Sequence, residues 1–134
     1  MEIEEALTSY LLGFTGFAAL IGDKLYPDEL PQGIKLPAVI YSKISDVKEH
    51  TLAGQSSLES PMLQFTVFAD TKTAARTIAN QLKAALCDFQ GMMSGLEVQY
   101  IRLENELSSL ERTPDGTLKI YTEILEFEIN YLKE

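Results

Sequence analysis

The sequence predicts an α+β domain in the order αββαββ, with a mixed or antiparallel four-stranded sheet and two helices packed on it. Three patterns carry that reading. Apolar residues recur at three- and four-residue spacing at the start of the chain and again over residues 75–89. Short strand-like apolar patterns mark residues 38–47 and 62–69. Two long alternating segments flank Pro114-Asp115-Gly116, as in a hairpin.

The first helix is expected over residues 2–20. Ile3, Leu7, Tyr10, Leu11, Phe14, Ala18 and Ile21 form one stripe, and Glu2, Glu4 and Glu5 sit where carboxylates favour the positive end of the helix dipole. Gly22 suits a helix C′ position, and Pro27 prevents resumption. The first strand spans residues 38–47, with apolar residues on both faces near its start. The second spans residues 62–69, with Leu63, Phe65 and Val67 on one face and Gln64, Thr66 and Phe68 on the other.

Between these strands, residues 48–61 read as a polar, mobile loop. Loops of that length without structure of their own are usually functional or mobile, so Glu49, His50, Leu52, Gln55 and Leu58 are candidate interface residues. A second helix is expected from an Asp70 or Thr71 cap to about Phe89, burying Ala75, Ile78, Ala79, Leu82, Leu86 and Phe89. Its other side carries Lys72, Arg76, Asn80 and Lys83, a basic strip that is either a solvated face or an interface. Residues 90–95 read as a loop.

The terminal hairpin, about residues 98–131, has an arguable register. A three-residue turn with Gly116 left-handed pairs Thr113 with Thr117. Ile101 then faces Ile129, Leu103 faces Phe127 and Asn105 faces Leu125, with Arg102 opposite Glu128 and Glu104 opposite Glu126. Nearer the turn the pattern inverts: Leu110, Leu118, Ile120 and Ile124 fall on the otherwise polar face. A β-bulge or an apolar hairpin tip explains this, and Leu110, Leu118 and Ile120 are tip candidates for an interface.

Composition narrows function. The 134 residues suit a single domain, and 46% hydrophobic content supports a core. No apolar run approaches the roughly 20 residues that span a bilayer, and the acidic start MEIEEALTSY lacks a signal peptide's basic region. The single cysteine, Cys87, allows no internal disulfide and fits a reducing compartment, so an intracellular product is expected. The net charge of −9, concentrated toward the two ends of the chain, disfavours binding to nucleic acid or to an anionic membrane.

Chemistry finds little to build on. A Cys–His nucleophile needs both Cys87 and His50, and Cys87 falls near a helix C-terminus, where the dipole disfavours a thiolate. Glu104, Glu106, Glu126 and Glu128 imitate a carboxylate or metal site but read as a solvated strand face. No zinc spacing, phosphate loop or dinucleotide fingerprint occurs. No cofactor, metal or catalytic residue is expected.

The segments GDKLYPDELP, LPAVIYSKIS, MLQFTVFAD and TAARTIANQLKAALCDF, with the terminal EFEINYL, are together similar to the tail-completion (tail-to-head joining) proteins of long-tailed siphophages. That resemblance spans nearly the whole chain. It implies a tail-terminator-like fold and a hexameric ring that caps the tail tube and docks onto the DNA-filled head. The implied partners are the tail tube protein, a head-neck connector or stopper protein and further copies of this chain. The implied location is the head-proximal end of the virion tail, after host-cytoplasmic assembly. The alternative class is a cytosolic protein- or ligand-binding regulatory domain, which needs a concave pocket.

Overall fold

A computed structural model describes residues 3–51, 54–87, 89–112 and 119–132, with side chains for all of these except 46–51 and 54–58. Its elements are α1 (Ile3–Leu12), α2 (Thr15–Ile21), β1 (Leu25–Pro27), β2 (Ala38–Thr51), β3 (Gly54–Ala69), α3 (Lys72–Leu86), β4 (Gly91–Met93), β5 (Leu96–Arg112) and β6 (Lys119–Leu132). The fold is α+β, but the sheet has six strands in the order β1-β2-β3-β6-β5-β4 rather than four. Only β1 runs parallel to its neighbour.

The single first helix is corrected to two. The Gly13 N–H is shared between the Ser9 and Tyr10 carbonyls, and Phe14 turns extended (φ −86, ψ 104), so the chain re-enters the helix in a new phase. That change lets Phe17 and Ile21 join Ile3, Leu7 and Leu11 in the core. A side chain at Gly16 would start 2.3 Å from Oε1 of Gln81, whose flexible side chain would have to move, so α2 lies close against α3 here. Gly22 ends α2 at φ 68, as its C′ role requires.

The α3 helix follows its pattern. Thr71 accepts a hydrogen bond from the Ala74 N–H, and Ala75, Ile78, Ala79, Leu82 and Leu86 are buried. Phe89, expected inside the helix, lies past its end and packs edge-on to Tyr10 at 5.0 Å. The Tyr10 hydroxyl donates to the Ala85 carbonyl, pinning α1 to the end of α3, and burial raises its pKa.

Two expected loops are strands. Residues 48–51 and 54–61 are strand: β2 and β3 pair through Lys48–Glu59, His50–Gln55 and Thr51–Gly54. Ser, Thr and Gly do not forbid strand pairing, and a polar pattern reports exposure rather than backbone state. Residues 91–98 form a tight hairpin in which Ser94 and Gly95 both take positive φ, the geometry of a two-residue type I′ turn.

Ile101–Ile129, Arg102–Glu128 and Leu103–Phe127 pair as the sequence implied. Glu104 is then bulged out, so Asn105 faces Glu126 rather than Leu125, and Arg112 faces Lys119. The Thr113–Thr117 turn and Leu118 lie outside the described residues. The bulge moves Glu106, Ser108 and Leu110 onto the side of Leu125, Glu123 and Tyr121. Ile120 and Ile124 stay on the opposite face, because β6 runs beside β3 without a shift.

All three helices cover one face. Leu63, Phe65, Val67, Leu125, Phe127 and Ile129 point to it, and the Phe65 and Phe127 rings meet edge-to-face at 5.8 Å. Phe127→Ala is expected to cost about 3–5 kcal/mol, whereas Leu107→Ala, at 51% exposed, should stay within about 0.5 kcal/mol. Urea denaturation of both variants checks the contrast.

Candidate assembly surface

Three surface features lie outside the core: the outward face of α3, a pocket beside the terminal hairpin, and the sheet face opposite the helices. The α3 strip is largely engaged within the chain. Lys83 Nζ reaches both carboxylate oxygens of Glu106, at 3.0 and 3.2 Å. Arg76 Nε lies 3.5 Å from Glu123. The Glu104 bulge turns Glu106 toward the helix, and Glu123 faces it from the unshifted β6. Lys72 stays exposed and lines the pocket.

That pocket, about 300 Å³, opens between the start of α3 and the hairpin. Ala75, Leu110, Tyr121 and the buried Glu123 line it. Glu123 is only 3% exposed and accepts a short hydrogen bond from the Ser108 hydroxyl, so its charge is met by a donor and by Arg76. Leu110, at the rim, is 46% exposed. The tip candidates therefore separate: Leu110 faces the helices and Ile120 the bare side.

The bare face is ordered in rows across β2, β3, β6 and β5. Ile40, Thr66, Ile124 and Leu107 form one apolar row. Ser42, Gln64, Glu126 and Asn105 form the polar row beside it. Beyond lies a charged cluster in which Arg102 bonds Glu104 at 2.9 Å and Glu128 at 2.8 Å, while the Tyr100 hydroxyl donates to Glu128 at 2.8 Å. The bonded Glu128 carboxylate holds the Tyr100 pKa up, and the hydrogen bond from Arg102 to Glu104 raises that of Arg102. The glutamates do not converge: Glu106 is on the helix face, and Glu104, Glu126 and Glu128 are on the other. No metal-binding cluster occurs among the described residues.

Of the remaining candidates, Glu49 sits at a β2 register shift, His50 and Gln55 are paired to each other, and Leu58 pairs with Leu132. Leu52 lies outside the described residues. Cys87 caps the end of α3, its N–H donating to the Lys83 carbonyl. Sequence reasoning missed the contact of Ser108 with the buried Glu123, because the one-residue shift at Glu104 decides which way the Ser108 hydroxyl points. It also missed the row of Ile40, Ile124 and Leu107.

A family model described as "Tail completion protein gp17" matches residues 5–130. The chain belongs to that family. Among solved structures, a chain of the "Virion of native gene transfer agent (GTA) particle" is similar at TM-score 0.65 and 13% identity, covering 96% of this chain and 97% of that one. At that identity the likeness concerns the fold. No curated protein matches. The family makes this a phage tail structural protein, and the surfaces above are those of a tail completion protein. No described helix is long and apolar enough to cross a membrane.

The two kinds of polar contact should separate by mutation. Lys83→Ala removes a part-exposed ion pair and should cost under about 1 kcal/mol, less at high salt. Ser108→Ala leaves buried Glu123 short of a donor and should cost about 1–3 kcal/mol at any salt. Thermal unfolding at low and high ionic strength distinguishes them.

Proposed function

We propose that this chain forms a ring of six copies that caps the tail tube and joins the tail to the DNA-filled head, touching the tail tube protein on one side and a head-neck connector or stopper protein on the other. Family membership over residues 5–130 supports a role in tail completion. The likeness of the same segments to the completion protein of the Bacillus siphophage SPP1 belongs to this proposal. So do the virion's head-proximal location, the host cytoplasm as the place of assembly, late expression and the absence of catalysis.

The observation that carries the two-sided role is the stagger of the two long hairpins. The β3 strand runs past the last residue of β6 that it pairs with, at the Leu58–Leu132 end. At the opposite end, β6 and β5 continue past Ala69 to the Arg112–Lys119 pair. The hairpins thus project from opposite ends of one sheet. A ring of such subunits with strands along its axis presents a different rim to each neighbour. Glu49, His50, Gln55 and Leu58 belong to one rim. Leu110 and Ile120 belong to the other, and Lys72, Arg76 and Lys83 lie on the outward face of α3.

Each copy carries a net charge of −9, so free subunits repel, most strongly at low salt, where screening is weakest. The free chain is a monomer and closes into a ring only on a template. Sedimentation of the purified protein across a salt series should show monomer throughout the low-salt range; a stable hexamer there refutes this. Particles made without the protein should appear in electron micrographs as full heads beside loose tails, and normal virions would remove the joining role.

If the bare sheet face lines the bore, its carboxylates keep genomic DNA from adhering. Glu126→Lys with Glu128→Lys should then slow DNA ejection severalfold in assembled virions. An unchanged ejection rate places that face elsewhere.

A further inference from the structure

We propose that the sheet continues from copy to copy: the outer edge of β2 over residues 42–51 pairs antiparallel with the outer edge of β5 over residues 99–112 in a second copy of this chain. The proposal deepens the ring reading above and rests on it.

Both edges are open over those stretches among the described residues. On its outer side β2 meets β1 only at residues 39–41, and β5 meets β4 only at residues 96–98. A long strand edge presents unpaired N–H and C=O groups, and native proteins rarely leave one uncovered without a pairing role. Here both ends of the same sheet are uncovered, in stretches of similar reach.

Direction agrees. Each step from β2 to β3 to β6 to β5 is antiparallel, so β2 and β6 point one way and β3 and β5 the other. Placing a second copy beside the first in the same orientation brings an upward β2 against a downward β5. The alternation continues with no strand reversed, and the contact is head-to-tail, the kind that closes into a ring.

The short strands bracket the joint. In an antiparallel pairing, residue 42 of β2 lies toward residue 112 of β5, and residue 51 toward residue 99. The β1 strand flanks the start of the β2 stretch and β4 the start of the β5 stretch, so they stand at opposite ends and do not collide. A parallel joint would put both at one end. Full overlap of the stretches needs one copy to slide along the strands relative to the next, and closing a sheet into a barrel imposes such a stagger.

Charge selects the unlike pairing. The β5 stretch carries Glu104, Glu106 and Glu111 against Arg112 and Arg102, the latter held by Glu104 and Glu128. The β2 stretch carries a mixed set, Lys43 and Lys48 with Asp46 and Glu49. Two β5 edges would set glutamates against glutamates, whereas β2 supplies lysines.

Ser42 and Ser109 both lie on the bare face, in rows that the joint brings together. The test uses Cys87→Ser chains carrying Ser42→Cys, Ser109→Cys or both, assembled into tails and oxidised. A disulfide forms only when the Cα atoms come within about 7 Å. Asn105→Cys replaces Ser109→Cys in a second set, which reads a joint slipped along the strands. The double variant should give a ladder of cross-linked multimers ending at the ring size, and mixed single variants should link only to each other. Self-linked single variants overturn the proposal in favour of a two-fold contact. Joined heads and tails with no cross-link from either set overturn it while leaving the ring reading intact. Normal virions without the protein would instead remove the ring reading.

Discussion

The pairing of β3 with β6 is the constraint on which the rest of this molecule depends. It runs without a shift from Leu58–Leu132 to Ala69–Tyr121 and stacks Leu63 beside Phe127 and Phe65 beside Leu125. Side chains alternate faces along a strand, so one fixed pair sets the face of every other residue in both strands. The large apolar groups of the pair that are fully buried fall on one side, and the three helices cover that side. The other side carries the polar Gln64, Glu126 and Glu128.

Against that regular seam, irregularity is confined to the flanking strands. The bulge at Glu104 rotates the outer part of β5 by one position, while β6 keeps its register with β3. As a result Glu106 and Ser108 turn toward α3, where Lys83 and Glu123 meet them. Lys83 of the basic strip is thereby tied to the hairpin, while Lys72 and Arg76 stay exposed. Two described carboxylates are buried, Glu123 accepting from the Ser108 hydroxyl and Glu59 from the Tyr131 hydroxyl, and a buried carboxylate without its donor is costly. The Lys83–Glu106 pair, part exposed, adds little to stability but holds the hairpin over the helix.

The same arrangement suits a protein that acts through contact. A one-sided sheet with long uncovered edges and hairpins reaching past both of its ends is poorly adapted to standing alone. Family membership accounts for that surplus of unsatisfied surface, because a tail completion protein is one part of a larger particle.

The amino-acid sequence by itself determined the α+β class, the cap and buried stripe of α3, the apolar sides of β3 and β6, and the pairing of Ile101, Arg102 and Leu103 with β6. These follow from periodicity and from strong local signals such as Thr71 and Gly22, whose effects need no distant partner. Tertiary structure alone decided the break at Gly13, where α2 turns to meet α3 at Gly16, and the extension of β2 and β3 through the polar residues 48–51 and 54–61. It also decided the bulge at Glu104, and therefore which carboxylates face the helices. In each case the choice is made by what packs alongside, and residues such as Ser, Gly and Glu accept either conformation until a neighbouring strand or helix selects one.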